Sequence, residues 1–243
     1  MNDNIVSREV LLSGKTSFKI EVPYQLIETG EKSADKPLII YLHGYGENLK
    51  KCRKVFSDCL EISAYHLFIE GPYPIQDRKG EKRVEEWGRS WYLYDGRQTQ
   101  FIKSMELTSE FIQEIVDRLA ELISFNRTCM IGYSMGGYLA GYFALTRTRH
   151  LQDLIAIGCR IKTEILDSEL TNWDQYRGMR VLAVHGENDS VVAATPQKKE
   201  IEFLKSKNID ASIVMTKNHH KMDHKSVQEV KNWLTAKGYK TVI

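Results

Sequence analysis

The stretch TCMIGYSMGGYLAGYFAL, residues 128–145, runs from a short apolar segment through glycines around one serine into a run rich in alanine, leucine and aromatics. Few conformations accept that order. Cys129, Met130 and Ile131 have the composition of a strand buried on both faces, and the run after Met135 reads as a helix. Only Gly132, Tyr133 and Ser134 are left to reverse the chain between them, so the turn must be sharp. Gly132 and Gly136 permit a close backbone approach that bulkier side chains would block. A G-x-S-x-G turn of this kind exposes the serine hydroxyl at the strand end. A helix starting near Met135 also aims backbone N–H groups at any anion that forms there.

Strand followed by helix recurs along the chain. PLIIYLHG (37–44) is a continuous apolar run, and Leu49, Cys52, Val55, Phe56, Cys59 and Leu60 give helical spacing over 48–61. HLFIEGPYP (66–74) predicts a short strand ended by Gly71 and Pro72. A helix is predicted over 104–124, with Leu107, Phe111, Ile115, Leu119 and Leu122 on one face. Strands follow at 128–131, in LQDLIAIGC (151–159), in RVLAVHGENDSVV (180–192, ending after 181–184) and at 211–216, with helices at 135–147, 195–207 and 224–237. Ahead of these, REVLLSG and SFKIEVPY flank a turn at residues 13–16, and 28–37 reads as a polar loop.

The pattern predicts an α/β fold: a mostly parallel central sheet with an N-terminal antiparallel hairpin and helices on both faces. We read one domain over 1–243, with hairpin and loop in 1–36. Residues 73–100 interrupt the periodicity with charges and with Trp87, Trp91, Tyr92 and Tyr94. They are expected to form a long substrate-side loop rather than a separate lid domain.

The 243 residues, 42% of them apolar, suffice for one such core. A net charge of +2 supplies no global drive toward nucleic acid or anionic membranes. No apolar run approaches the ~20 residues that cross a bilayer, and MNDNIVSREV has no signal-peptide layout. Cys52, Cys59, Cys129 and Cys159 show neither CxxC nor metal-ligand spacing. The expectation is a soluble cytoplasmic protein with no bound metal, no nucleic-acid partner and no stable membrane insertion, its oligomeric state left open.

In a parallel sheet the residues just after each strand share one edge, where ligands bind. Those residues are HGYG (43–46), GYSMG (132–136), HGEND (185–189) and NHH (218–220). A serine, acids and histidines therefore converge. A serine hydroxyl is a weak nucleophile until a histidine within reach takes its proton, and a carboxylate on the far ring nitrogen fixes the tautomer. Asp189 and Glu187 are the candidate acids, and His219 and His220 the candidate bases. His224 is expected to begin the last helix. His43 and His185 read as structural loop histidines, and His66 and His150 have no evident partner.

These residues resemble the α/β-hydrolases, and more narrowly the phospholipase/carboxylesterase family, which includes acyl-protein thioesterases. The resemblance runs from about residue 36 to the end, through LHGYGEN (42–48), GYSMGG (132–137), HGENDSVV (185–192) and HHKM (219–222). GPYPI (71–75) followed by SWYLYD (90–95) is similar to the family's aromatic substrate-side loop. Met135 stands where the family commonly has glutamine, and loop glycines are sparser. The resemblance implies Ser134 as nucleophile, Asp189 as orienting acid and His220 as base, with the backbone N–H groups of Tyr45 and Met135 as oxyanion donors. It implies hydrolysis of a small-molecule carboxylic ester or thioester through an acyl-serine, without a cofactor. Trp91 and Tyr92 are expected to line the acyl or alcohol pocket. The rival readings are a non-catalytic ligand-binding protein on the same fold, or a dienelactone-hydrolase-like or peptidase-like enzyme.

Overall fold

Uninterrupted apolar runs become the interior of one sheet. In a computed structural model that describes residues 12–14, 16, 19–32, 35–147, 150–166 and 169–242, the strands are β1 (Tyr24–Glu28), β2 (Lys36–Leu42), β3 (Tyr65–Ile69), β4 (Tyr73–Ile75), β5 (Gly88–Ser90), β6 (Phe125–Tyr133), β7 (Asp153–Ile157), β8 (Arg180–Gly186) and β9 (Asp210–Thr216). Seven of them form the main sheet in the order β1-β3-β2-β6-β7-β8-β9. Every pairing is parallel except that of β1 with β3, which runs antiparallel from Tyr24 opposite Ile69 to Glu28 opposite Tyr65. β4 and β5 form a separate antiparallel ribbon.

The helices are α1 (Leu49–Val55), α2 (Gln98–Leu122), α3 (Met135–Thr146), α4 (Ala194–Ser206) and α5 (His224–Ala236). Alternate side chains of the central strands point to opposite faces. Leu38, Ile40, Leu42, Met130, Leu154 and Val181 pack with buried residues of α2, α3 and α4. Ile39, Tyr41, Cys129, Ile131, Ile155 and Leu182 pack with those of α1 and α5. Both faces are thus covered, as near-continuous apolar strands require. α3 is buried over nearly its whole length, which explains its lack of an amphipathic pattern. Asn48 caps α1 by accepting the Lys51 N–H, and Asp223 caps α5 by accepting the Ser226 N–H.

Several boundaries differ from the sequence reading. The first arm of the expected N-terminal hairpin lies largely outside the described residues. Of its second arm, residues 19–23 are not strand, and the antiparallel edge is made by Tyr24–Glu28 against β3. The helix expected over 48–61 breaks at Phe56 into α1 and a 3-10 turn, Ser57–Glu61. α2 starts at Gln98 rather than 104, because Phe101 and Met105 extend its buried stripe. Residues 73–100 hold the β4–β5 ribbon, which positions the site described next.

Candidate active site

The elbow is strained where the sequence requires a sharp turn. Ser134 follows the last residue of β6 and takes φ 50° and ψ −116°. Holding a non-glycine residue there costs roughly 1–3 kcal/mol, which its surroundings must offset. The Ser134 N–H donates to Ile157 O of β7 at 2.8 Å, and Ser134 O accepts the N–H groups of Gly137 and Tyr138. Glycine is obligatory beside it: a Cβ on Gly136 would lie 2.5 Å from Leu42 O, and one on Gly132 would lie 2.3 Å from Gly136 O. The start of α3 is thereby pressed against the end of β2.

β8 ends at Gly186, and the loop after it presents Asp189. One carboxylate oxygen, Oδ1, accepts the N–H groups of Val191 (2.9 Å) and Val192 (2.8 Å). The other, Oδ2, lies 2.7 Å from His220 Nδ1, and His220 Nε2 lies 2.9 Å from Ser134 Oγ. The Asp189 side chain is 1% exposed and that of His220 14%. Burial by itself would raise the Asp189 carboxyl, but its bonds from Val192 N–H, His220 and Val191 N–H outweigh that and hold it below the usual carboxylate range. An Nδ1–H on His220 directed at Asp189 turns the Nε2 lone pair toward the serine hydroxyl. That arrangement can accept the hydroxyl proton and stabilise the imidazolium that results.

The alternatives lie elsewhere. His219 is exposed, with Nδ1 on Asn188 O at 3.0 Å. His224 opens α5 and pairs with Asp58 at 2.9 Å. Glu187 is exposed, and its backbone N–H bonds Thr216 O.

Opposite the elbow, residues 44–47 form a tight turn. The Glu47 N–H donates to Gly44 O at 3.2 Å, and Gly46, third in the turn, has the φ of +73° that a type II turn needs. Glu47 Oε2 accepts the Gly44 N–H at 2.9 Å, closing the turn a second time. β5 holds it from outside, with Gly46 N–H on Arg89 O (3.0 Å) and Arg89 N–H on Glu47 O (2.7 Å). Beneath it His43 donates from Nδ1 to Gly44 O (2.7 Å) and accepts the Gly71 N–H at Nε2 (3.0 Å). The Trp91 indole N–H donates to His43 O at 2.7 Å. Glu70 pairs with Arg89 and accepts the Leu49 N–H, tying the ribbon to α1. Among the described residues neither the Tyr45 N–H nor the Met135 N–H has a protein acceptor.

This geometry corrects one expectation. Trp91 is fully buried and Tyr92 is 7% exposed, so neither offers a substrate a usable surface. Trp91 lies against the His43 ring, and Tyr92 meets Phe101 edge-on. They are the wall behind the 43–47 turn. His43 is a structural loop histidine as expected, but its grouping with Glu47, Glu70 and Arg89 escaped the sequence reading. Its one available signal was the acid three residues after Gly44 in LHGYGEN.

Two buried histidines make acid stability measurable. Burial lowers His43 from 6.5 to about 4, against the opposing bond to Gly44 O. Burial also lowers His66 to about 4, opposed by its bond to Ile62 O, while Tyr41 and Thr29 flank its ring. The unfolded chain takes up these protons near pH 6.5 and the folded chain only near 4, so stability is present above 6.5 and lost as pH falls toward 4. The urea midpoint should fall steadily from pH 7 to pH 4.5, with a slope approaching about two protons. A flat midpoint over that interval would contradict the neutral, buried assignment.

Among the described residues, no cluster of His, Cys, Asp and Glu is placed to hold a metal ion, and no helix is long and apolar enough to cross a membrane. Residues 23–237 match the family model described as phospholipase/carboxylesterase. No curated protein matches the sequence. Among solved structures, esterase PE8 is similar with a TM-score of 0.68 at 18% identity, covering 89% of this chain and 99% of that one. A carboxylesterase from Bacillus cereus gives 0.65 at 16%, covering 88% and 94%. Acyl-protein thioesterase 2 from Zea mays gives 0.65 at 17%, covering 88% and 98%.

Proposed function

The chain belongs to the phospholipase/carboxylesterase family, and from that premise we propose that it is a serine hydrolase that cleaves carboxylic esters or thioesters through an acyl-serine intermediate. The observation that carries this reading is the unbroken relay from Ser134 Oγ to His220 Nε2 (2.9 Å) and from His220 Nδ1 to Asp189 Oδ2 (2.7 Å). Ser134 Oγ attacks the acyl carbon as His220 Nε2 takes its proton. The charge on the former carbonyl oxygen is met by the N–H groups of Tyr45 and Met135. His220 then gives the proton to the leaving alkoxide or thiolate. Water, deprotonated by the same nitrogen, attacks the acyl-serine and returns Ser134 and the free acid. Asp189 remains ionised throughout and stabilises the imidazolium. The Met135 donor is its backbone, so the thioether in place of glutamine leaves it intact.

The domain is taken to span 1–243, acting on small-molecule esters. Four free, buried cysteines favour a reducing compartment, the cytoplasm. The test is a nitrophenyl ester series from acetyl to palmitoyl, run beside labelling with a fluorophosphonate. We expect turnover of at least one ester and one covalent adduct per chain, mapped to the peptide containing Ser134. Absence of both hydrolysis and adduct would overturn the reading.

A further inference from the structure

His185 carries a buried nitrogen, Nδ1, that has no hydrogen-bond partner among the described residues. Such an atom requires an explanation, because a lost partner in the interior is costly. The residue is the penultimate one of β8, four positions before Asp189, and its side chain is 1% exposed. Its other nitrogen, Nε2, lies 2.8 Å from Val192 O and 3.6 Å from Asp189 Oδ2. Val192 O can only accept, so Nε2 carries the ring proton and Nδ1 is bare. The Val192 N–H, in turn, donates to Asp189 Oδ1. One residue of the loop thus holds the acid with its N–H while its C=O is held by His185.

We propose that His185 is a positioning residue: an Nε2–H strut that locks the 186–192 loop, so that Asp189 keeps Oδ2 on His220. Asp189 Oδ2 lies 2.7 Å from His220 Nδ1 but 3.6 Å from His185 Nε2, so the bond to Val192 O keeps the His185 N–H off the oxygen that His220 uses. This rests on the proposed roles of Ser134, His220 and Asp189. Other ionisable groups around the acid and His220 are Tyr133, whose hydroxyl donates to His220 O, Glu47 beside Tyr133, Tyr138 with Arg160 nearby, and His219 and Lys221 on the loop after β9. None of them bonds both the acid and its loop.

Three variants separate a positioning role from bulk packing. His185→Gln keeps an N–H near the Nε2 position. His185→Phe keeps the ring without a donor. His185→Asn puts its amide too short to reach Val192 O. Removing a triad acid outright costs about 10⁴ in kcat, and a loosened acid should cost less, roughly 10- to 100-fold. We expect that loss in Phe and Asn, with KM within about twofold. The acid limb of the kcat/KM profile should shift in Phe and Asn. The Gln variant should keep the wild-type limb. The low-field proton resonance of His220 Nδ1–H gives a readout that needs no turnover: it should weaken or move upfield in Phe and Asn and persist in wild type and Gln. If Phe does not fold, Asn against Gln makes the same comparison. An unchanged resonance and limb in Asn, or equal losses in Gln and Asn, would overturn the proposal. Failure of the esterase reading would look different, with no hydrolysis by any variant while the resonance still separates them.

Discussion

Alanine at Ser134 should abolish ester hydrolysis while leaving the protein folded. The expected loss in kcat is about 10⁴- to 10⁶-fold, with residual turnover from the oxyanion donors and bound geometry. The side-chain hydrogen bond of Ser134 is to His220, and the elbow itself is held by backbone bonds to Ile157, Gly137 and Tyr138. Alanine can adopt the same strained dihedrals at similar cost. The melting temperature should therefore stay within about 3 °C of wild type, since a change of 1 kcal/mol moves a domain of this size by only a few degrees. Kinetics on the best nitrophenyl ester, with a thermal melt on the same sample, check both halves. Undiminished turnover in the variant would mean that another group forms the acyl-enzyme or that none does.

His220→Ala should lose about 10³- to 10⁶-fold in kcat, because the hydroxyl would keep its proton near neutral pH and the leaving group would receive none. The neighbouring histidines supply the controls. His224 is 76% exposed at the start of α5 and paired with Asp58, and His219 rests on Asn188 O. Alanine at either should keep kcat within about threefold of wild type. Parallel kinetics on the three variants decide it. A larger loss at His219 than at His220 would reassign the base and require the loop after β9 to rearrange before catalysis.

Much of the candidate site was legible because parallel topology turns chain order into spatial order. Once the apolar runs are read as parallel strands, the residues after them share an edge, and Ser134, Asp189 and His220 need no further argument to be neighbours. The choice between His219 and His220 is different. Adjacent loop residues point in different directions according to local turns, and periodicity is silent there. The β4–β5 ribbon was hidden for a related reason. Its strands are three residues each, too short for an alternating pattern, and it is stabilised by hydrogen bonds to residues 46 and 47 that no local signal announces. Trp91 and Tyr92 show the opposite error. Aromatics in a charged segment suggest a surface for ligand, but the indole N–H of Trp91 has a buried acceptor in His43 O, so the ring can be enclosed completely. The break of the first helix at Phe56 left its apolar spacing intact, so sequence alone could not mark it.

The ribbon also divides by mechanical role. Its base, at Gly71 and Arg89–Trp91, is bonded to the 43–47 turn. Its tip closes on itself, with Asp77 Oδ2 accepting the N–H groups of Glu81 and Lys82, and residues 78–86 are exposed. Insertions, tags or recognition sequences spliced near Gly80 would lengthen a self-contained loop while the turn that presents Tyr45 stays put. The protein has a built-in place to acquire new surface without retuning its chemistry.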